Sequence, residues 1–205
     1  MIAMIRSSRH DLLKNALRGI LLLSLCACAG SAFPQKSAPL LPQDSLYQLP
    51  LPLTDQDGRT RDWASRRGKP QLVSMFYTSC RYICPLIVDS GKAIEHQLTP
   101  AQRAKLGILL ISMDPQRDTP AELRKVVEQR KLDTSHWTLA TPRKDDVRHT
   151  AALLGIRYRE LADGEFNHTS ALLLLDAQGR IVARTEQMGS IPDPVFVAAV
   201  RAAVK

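Results

Sequence analysis

Two cysteines stand four positions apart in Thr78-Ser79-Cys80-Arg81-Tyr82-Ile83-Cys84-Pro85. Thiols at that spacing support four chemistries. Residues i and i+4 share one helix face with Cβ atoms about 5–6 Å apart, so two thiolates could converge on one metal ion. A disulfide wants Cβ atoms about 3.8 Å apart, which needs Cys80 to lie in a non-helical lead-in. A redox couple usually has two residues between its cysteines; the extra one here loosens the geometry toward a chelate. Simple packing is the fourth reading. Pro85 lacks an N–H and restrains Cys84 to extended backbone, which puts Cys84 in a loop or in the first turn of a following helix.

Soft thiolates select Cu(I), zinc or iron–sulfur clusters. Structural zinc takes four ligands, and two of the four cysteines, Cys26 and Cys28, fall in the N-terminal leader. The body therefore offers one pair. Two thiolates with one imidazole would make a three-coordinate site suited to copper, so a histidine is needed. The chain has five. His10 is in the leader. His96 and His149 lie among charged residues of helical stretches and read as solvated surface. His136 precedes a strand and reads as capping or packing. His168, in Phe166-Asn167-His168-Thr169-Ser170, stands directly before the apolar run SALLLLD. Alone it reads as a loop or core histidine; beside a paired thiol at another strand end it becomes the candidate third ligand.

The elements that must position these groups follow from pattern. Asp57-Gly58 is a turn dipeptide between short strands. QLVSMFYT and LGILLISM are continuous apolar runs of the kind found in strands buried on both faces. Residues 80–98 read as a loop entering a helix, with Ile83, Ile87, Ala93, Ile94 and Leu98 as candidate core positions. Thr119-Pro120 opens the next helix as an N-cap with proline in the first turn, and it runs to about Lys131. HWTLAT is a short strand, and residues 144–154 are helical up to Gly155. SALLLLD and RIVART form a hairpin about Ala177-Gln178-Gly179, and a helix over 194–204 closes the chain. Parallel βαβ units followed by an antiparallel hairpin give a mixed sheet with helices on both faces. The cysteine pair sits where the first buried strand runs into its helix. A helix N-terminus favours thiolate there, and strand-end loops are where α/β sheets carry their sites.

The chain has 205 residues, 44% hydrophobic and 23% charged, with a formal net charge of +8. Part of that charge is Arg6, Arg9, Lys14 and Arg18. With no basic run interleaved with aromatics, nucleic acid is not an expected partner. Residues 1–32 read as a secretory leader: a cationic start, an apolar core over 20–29 too short for a bilayer span of about 20 residues, then small residues. Cleavage after Ala29 or Ala32 is one outcome. Leu25-Cys26-Ala27-Cys28 also resembles a lipobox, which would leave a lipid on Cys28; an uncleaved anchor is the third. Each places the domain outside the cytosol, in an oxidising compartment. Residues 33–53 hold five prolines and read as a linker, leaving 54–205 as the folded domain.

Three segments then carry a family resemblance. FYTSCRYICP, ISMDPQRDTPAELRKVVEQ and NHTSALLLLDAQGRIV, in that order, resemble the motifs of the Sco/SenC family of copper chaperones, and the leader and tether match its membrane-anchored layout. The resemblance spans roughly residues 43–205. It implies a thioredoxin-like mixed sheet flanked by helices, with an N-terminal β-hairpin extension. It implies that Cys80 and Cys84 are copper thiolates and His168 the imidazole ligand, with Asp114 an acidic residue close by or an Asx-type cap. Arg117, Asp118 and Thr119 read as loop and helix-cap structure. Two positions depart from the family pattern: Arg81 stands where proline is usual, adding a cation beside Cys80, and Asn167 where aspartate usually precedes the histidine.

The resemblance implies a metallochaperone that binds one copper ion and passes it to an extracytoplasmic acceptor, the CuA site of the cytochrome c oxidase copper subunit, with a thiol reductant keeping its cysteines ready. The alternative is a thiol–disulfide oxidoreductase in which Cys80 attacks, Cys84 resolves, and His168 tunes rather than binds. A peroxidatic cysteine usually stands without such an i+4 partner.

Overall fold

The structure, a computed structural model, describes residues 40–80 and 83–205. A seven-stranded mixed sheet lies at the centre, in the order β2-β1-β5-β4-β3-β8-β9. Its core is three parallel strands: β3 (Gln71–Phe76), β4 (Gly107–Ser112) and β5 (Trp137–Pro142). Every residue of β3 and β4 is buried, as expected of unbroken apolar runs covered on both faces. β8 (Leu172–Leu175) runs antiparallel against β3 and pairs with β9 (Ile181–Thr185). On the far edge, β1 (Pro52–Asp55) runs antiparallel against β5 and pairs with β2 (Thr60–Asp62). Gly58 takes φ +74° in their turn, the left-handed conformation glycine adopts without steric cost. The mixed α/β architecture expected from the pattern is the one observed.

Among the described residues five α-helices flank the sheet: α1 (Ile83–His96), α2 (Pro100–Ala104), α3 (Pro120–Arg130), α4 (Val147–Leu153) and α5 (Pro194–Ala203). Thr119 caps α3 and Asp193 caps α5, each followed by proline, where its missing N–H costs nothing. α1 comes so close to the sheet that a Cβ on Gly91 would lie 2.6 Å from the Trp137 ring.

Four expectations need correcting. The chain packs before residue 54. Tyr47 and Leu51, 4% and 3% exposed, belong to the core; the Tyr47 ring stands edge-on to Trp63 at 5.9 Å, and Trp63 Nε1 donates to the Leu49 carbonyl. Residues 40–53 thus form a strap that follows the surface rather than a free linker, while the part of the expected linker over 33–39 lies outside the described residues. Second, α2 was unforeseen, although Thr99, Pro100 and Gln102 form a capping box. Third, β6 (Tyr158–Glu160) and β7 (Phe166–His168) form a separate two-stranded hairpin; three half-exposed residues per strand leave no period to read. Fourth, Cys84 is not extended. It is already helical in the first turn of α1, where a following proline is tolerated because first-turn N–H groups lack intrahelical partners.

Among the described residues no helix is long and apolar enough to cross a membrane. The leader, with Cys26 and Cys28, lies outside the described residues, as do Arg81 and Tyr82.

Candidate metal centre

β3 delivers the thiols. It ends at Phe76, and the chain turns through Tyr77 and Thr78 to Cys80 before α1 begins. Cys80 and Cys84 are both buried and free of disulfide. They hydrogen-bond to each other, and the Tyr77 backbone N–H donates to Cys84 Sγ at 3.4 Å. Burial pushes the Cys84 thiol well above its usual range, and the charge of a Cys80 thiolate would push it further.

Asp118 holds this turn in place. Its side chain is fully buried and accepts from the Thr78 backbone N–H at 3.1 Å, the Thr78 hydroxyl and the Ser112 hydroxyl. Burial raises its pKa, and the bonds from Ser112 and Thr78 pull it back. Reading Asp118 as helix-cap structure therefore misses its work: it ties the residue two before Cys80 to the end of β4. Asp114 pairs with Arg117. Arg117 in turn donates to the Gly164 carbonyl in the β6–β7 turn and lies 6.0 Å from the Phe166 ring. Asp114 is thus a support for the hairpin that carries His168.

His168 ends β7, opposite Tyr158. Burial lowers its pKa, which favours the neutral ring. Nδ1 lies 3.2 Å from the Thr169 carbonyl oxygen. That oxygen can only accept, so Nδ1 carries the proton and Nε2 keeps its lone pair. Nε2 is buried and has no hydrogen-bond partner. A neutral imidazole whose second nitrogen is oriented by a carbonyl is the form in which histidine ligates metals.

One residue touches all three candidate ligands. Tyr77 donates its backbone N–H to Cys84, hydrogen-bonds Cys80 through its hydroxyl, and meets the His168 ring edge to face at 5.9 Å. The same hydroxyl donates to Glu165 at 2.9 Å, and the ring packs on Phe166 at 5.1 Å. The thiols are paired with each other and His168 rests on Tyr77; among the described residues no three of His, Cys, Asp and Glu stand close enough to hold one ion. A cavity of about 190 Å³ opens beside the thiols, with Tyr77, Pro85, Val88 and Val126 in its wall. His96 and His149 are exposed, and His136 bonds Glu95 at 2.9 Å, so none competes as a ligand. Tyr77, Asp118 and Glu165 are the site residues that motif reasoning passed over; a tyrosine just ahead of the first cysteine, with an extra hydroxyl to satisfy, was the available signal.

A mixed sheet with flanking helices and a thiol pair at the junction of β3 and α1 defines a thioredoxin-like protein with a two-cysteine centre. The SCO1/SenC family model matches residues 42–204, so this chain belongs to the SCO1/SenC family. It is 24% identical over 195 residues to the SCO1 protein homolog of Bacillus subtilis, covering 93% of this chain and 96% of that one. It superposes with a TM-score of 0.68 on a SCO1/SenC family lipoprotein from Bacillus anthracis, at 19% identity over 77% of this chain and 94% of the other. With Bradyrhizobium japonicum ScoI with copper bound, the TM-score is 0.62 at 23% identity, over 76% and 98% of the two chains. At these identities the structural likenesses establish the fold.

Proposed function

We propose that this protein is a copper chaperone that takes one copper ion on Cys80, Cys84 and His168 and passes it to an extracytoplasmic acceptor, the CuA site of the cytochrome c oxidase copper subunit. The observation that carries the reading is the His168 Nε2 atom, a buried lone pair with no partner on a ring that shares Tyr77 with both thiols. The copper-bound relative on the same fold supports it. Loading brings the β6–β7 hairpin and the thiols onto the ion, and three ligands leave a position at which an incoming acceptor thiolate can displace one of them. The leader holds the domain on the outer face of the membrane, through a lipid on Cys28 or an uncleaved apolar segment; the lipoprotein relative supports that placement. A thiol reductant keeps Cys80 and Cys84 available.

The test is stoichiometric. The reduced full chain is loaded with copper and dialysed, then metal per chain is measured for the native protein and His168→Ala. One ion per chain, with retention falling at least tenfold in the variant, is the expected result. Retention unchanged by His168→Ala would remove the imidazole from the site.

Two reduced thiols in hydrogen-bond contact favour one second reading, a disulfide reductase. Cys80 as thiolate attacks the acceptor disulfide and forms a mixed disulfide, releasing one acceptor thiolate. Cys84 gives up its proton and attacks Cys80, which expels the second acceptor thiolate. The chain ends oxidised at Cys80–Cys84 and the acceptor is reduced by two electrons. Exchange that survives His168→Ala and needs no copper would select this reading.

A further inference from the structure

A second site lies at the opposite pole of the sheet. A cavity of about 370 Å³ opens at the starts of the parallel strands, against Gln71 of β3 and Gly107 of β4. The thiols follow the other end of β3, about 20 Å away at the rise of six strand residues. Arg59, Arg61, Arg66, Arg67 and Lys69 all line this cavity.

The acids beside Arg61, Arg66 and Lys69 are taken up by other partners. Asp62 accepts the Leu51 and Ala64 N–H groups. Asp55 accepts those of Asp57 and Arg59. Asp57 pairs with Arg59 and with Arg124 across the surface. Among the described residues, none of Arg61, Arg66 and Lys69 reaches a carboxylate. Arg66 is half-buried and its hydrogen bond goes to the neutral side chain of Gln71 at 3.3 Å. Burial lowers the pKa of Arg66; Tyr47 and the Asp55 carboxylate oppose that shift and Arg61 adds to it, while burial then Arg66 lower that of Lys69. The Tyr47 hydroxyl, buried and without a partner, lies in the neighbourhood of Arg66. Two partly buried cations, Arg66 and Lys69, held close together beside the exposed Arg61 are a destabilising arrangement unless an anion completes it.

The chain enters the domain at this same pole. Leu46 N–H donates to the Gly179 carbonyl, and Gly68 N–H, between Arg67 and Lys69, donates to the Ala177 carbonyl. Both bonds land on the β8–β9 turn, which lies at the start of β3 because Leu175 pairs with Gln71. The ten residues 30–39, between the leader's apolar core and the first described residue, span at most about 33–36 Å even fully extended.

We propose that the cavity bounded by Arg61, Arg66 and Lys69 is a binding site for a phosphate-class oxyanion. The forked guanidinium donors of Arg61 and Arg66 suit paired oxygens of such a group, and Lys69 adds a point charge. Two sources supply that chemistry beside a membrane: free phosphate, or an anionic lipid headgroup reached on the short lead-in. The second would stand the domain on the bilayer with its thiol pole facing away.

The test melts the reduced full chain, in neutral detergent, in sodium phosphate and in sodium chloride of matched ionic strength. Phosphate at a hundredfold over its Kd is expected to raise the melting temperature by about 5–10 °C over chloride. Arg66→Gln combined with Lys69→Gln should raise the melting temperature in chloride, abolish the phosphate response and leave copper stoichiometry unchanged. If the pair fails to fold, Lys69→Gln alone must shift the phosphate midpoint at least threefold. A phosphate response that survives these substitutions overturns the assignment.

A second arm reconstitutes the full chain in phosphatidylcholine vesicles with and without phosphatidylglycerol and follows acetylation of Lys69 by mass spectrometry. This arm rests on the anchored reading; a chain that does not float with either vesicle refutes the anchor and leaves the melt as the deciding measurement. Protection by phosphatidylglycerol assigns the lipid headgroup. A phosphate response without protection assigns the free anion. The absence of both effects overturns the site.

Discussion

The Tyr77 hydroxyl donates to Glu165 at 2.9 Å, across 88 residues of sequence. That bond joins the end of β3, which carries the thiols, to the hairpin that carries His168. The hydroxyl also accepts from the Phe166 N–H at 3.4 Å and hydrogen-bonds Cys80. Tyr77→Phe keeps the ring contacts with Phe166 and His168 and removes all three bonds. The loss should be about 1–2 kcal/mol, read as a lower urea midpoint, with faster amide exchange at Phe166 and His168. Glu165→Gln, which retains an acceptor oxygen, should stay close to the native protein. Unchanged exchange in Tyr77→Phe would mean the hairpin is held by packing alone.

Asp118 predicts a coupled loss. Asp118→Ala leaves a buried backbone N–H and two hydroxyls without their acceptor, so stability should fall by about 3 kcal/mol and copper retention with it. Asp118→Asn keeps one acceptor oxygen and should lose less. Because burial raises the folded-state pKa above the usual 3.8, the native carboxyl contributes stability at low pH that is lost as pH rises through the folded value. The asparagine variant lacks that slope. Copper retention intact in a folded Asp118→Ala would show that Thr78 does not position Cys80.

His168 titrates in the opposite sense. Its folded pKa lies below the ordinary 6.5, so the unfolded chain takes up its proton first. Stability is at its full value above pH 6.5 and falls as pH drops from there toward the folded-state value. The difference in urea midpoint between the native protein and His168→Gln, followed from pH 8 to pH 5, isolates this group from every other carboxyl and imidazole. A difference that is flat across that range would mean the ring is not desolvated.

The Gly91 backbone lies against Trp137, whose ring nitrogen donates to Glu95 at 3.0 Å and cannot slide away freely. A Cβ at position 91 would sit 2.6 Å from that ring. Alanine gains roughly 0.5–1 kcal/mol of helix propensity, but overpacking costs about 1–3 kcal/mol, so Gly91→Ala should destabilise α1 on the sheet. A variant that melts above the native protein would show that the helix can lift.

What was legible in the chain follows the strength of each local signal. β3 and β4 announce themselves because six consecutive buried positions are filled mostly by apolar side chains, and Thr119-Pro120 announces α3 because cap and proline act within one turn. Cys80, Cys84 and His168 stood out because few residue types share their chemistry. The β6–β7 hairpin did not, since three-residue strands at the surface carry no alternation, yet it sets where His168 points. Asp118 was hidden for another reason. An aspartate before Thr-Pro looks like a cap, and nothing local says that its partner is Thr78, forty residues earlier. The strap at residues 45–51 read as linker because prolines suit both; only Trp63, met later in the chain, gives Tyr47 something to pack on.

On the proposed ligation by Cys80, Cys84 and His168, the thiol environment makes copper loading a proton-release reaction. Burial raises the Cys84 pKa well above its usual range, so at neutral pH the metal-free chain carries that proton, and ligation as thiolate must expel it. His168 adds no proton to the balance, because burial already keeps it neutral. The apparent copper affinity should therefore rise about tenfold per pH unit for each thiol proton displaced. Competition against a chromophoric Cu(I) chelator between pH 6.5 and 8, corrected for the chelator's own protonation, measures the slope. Cys84→Ser should lower both the affinity and the slope. An affinity that does not change with pH would mean that Cys84 is already ionised, and that its surroundings are more polar than its burial implies.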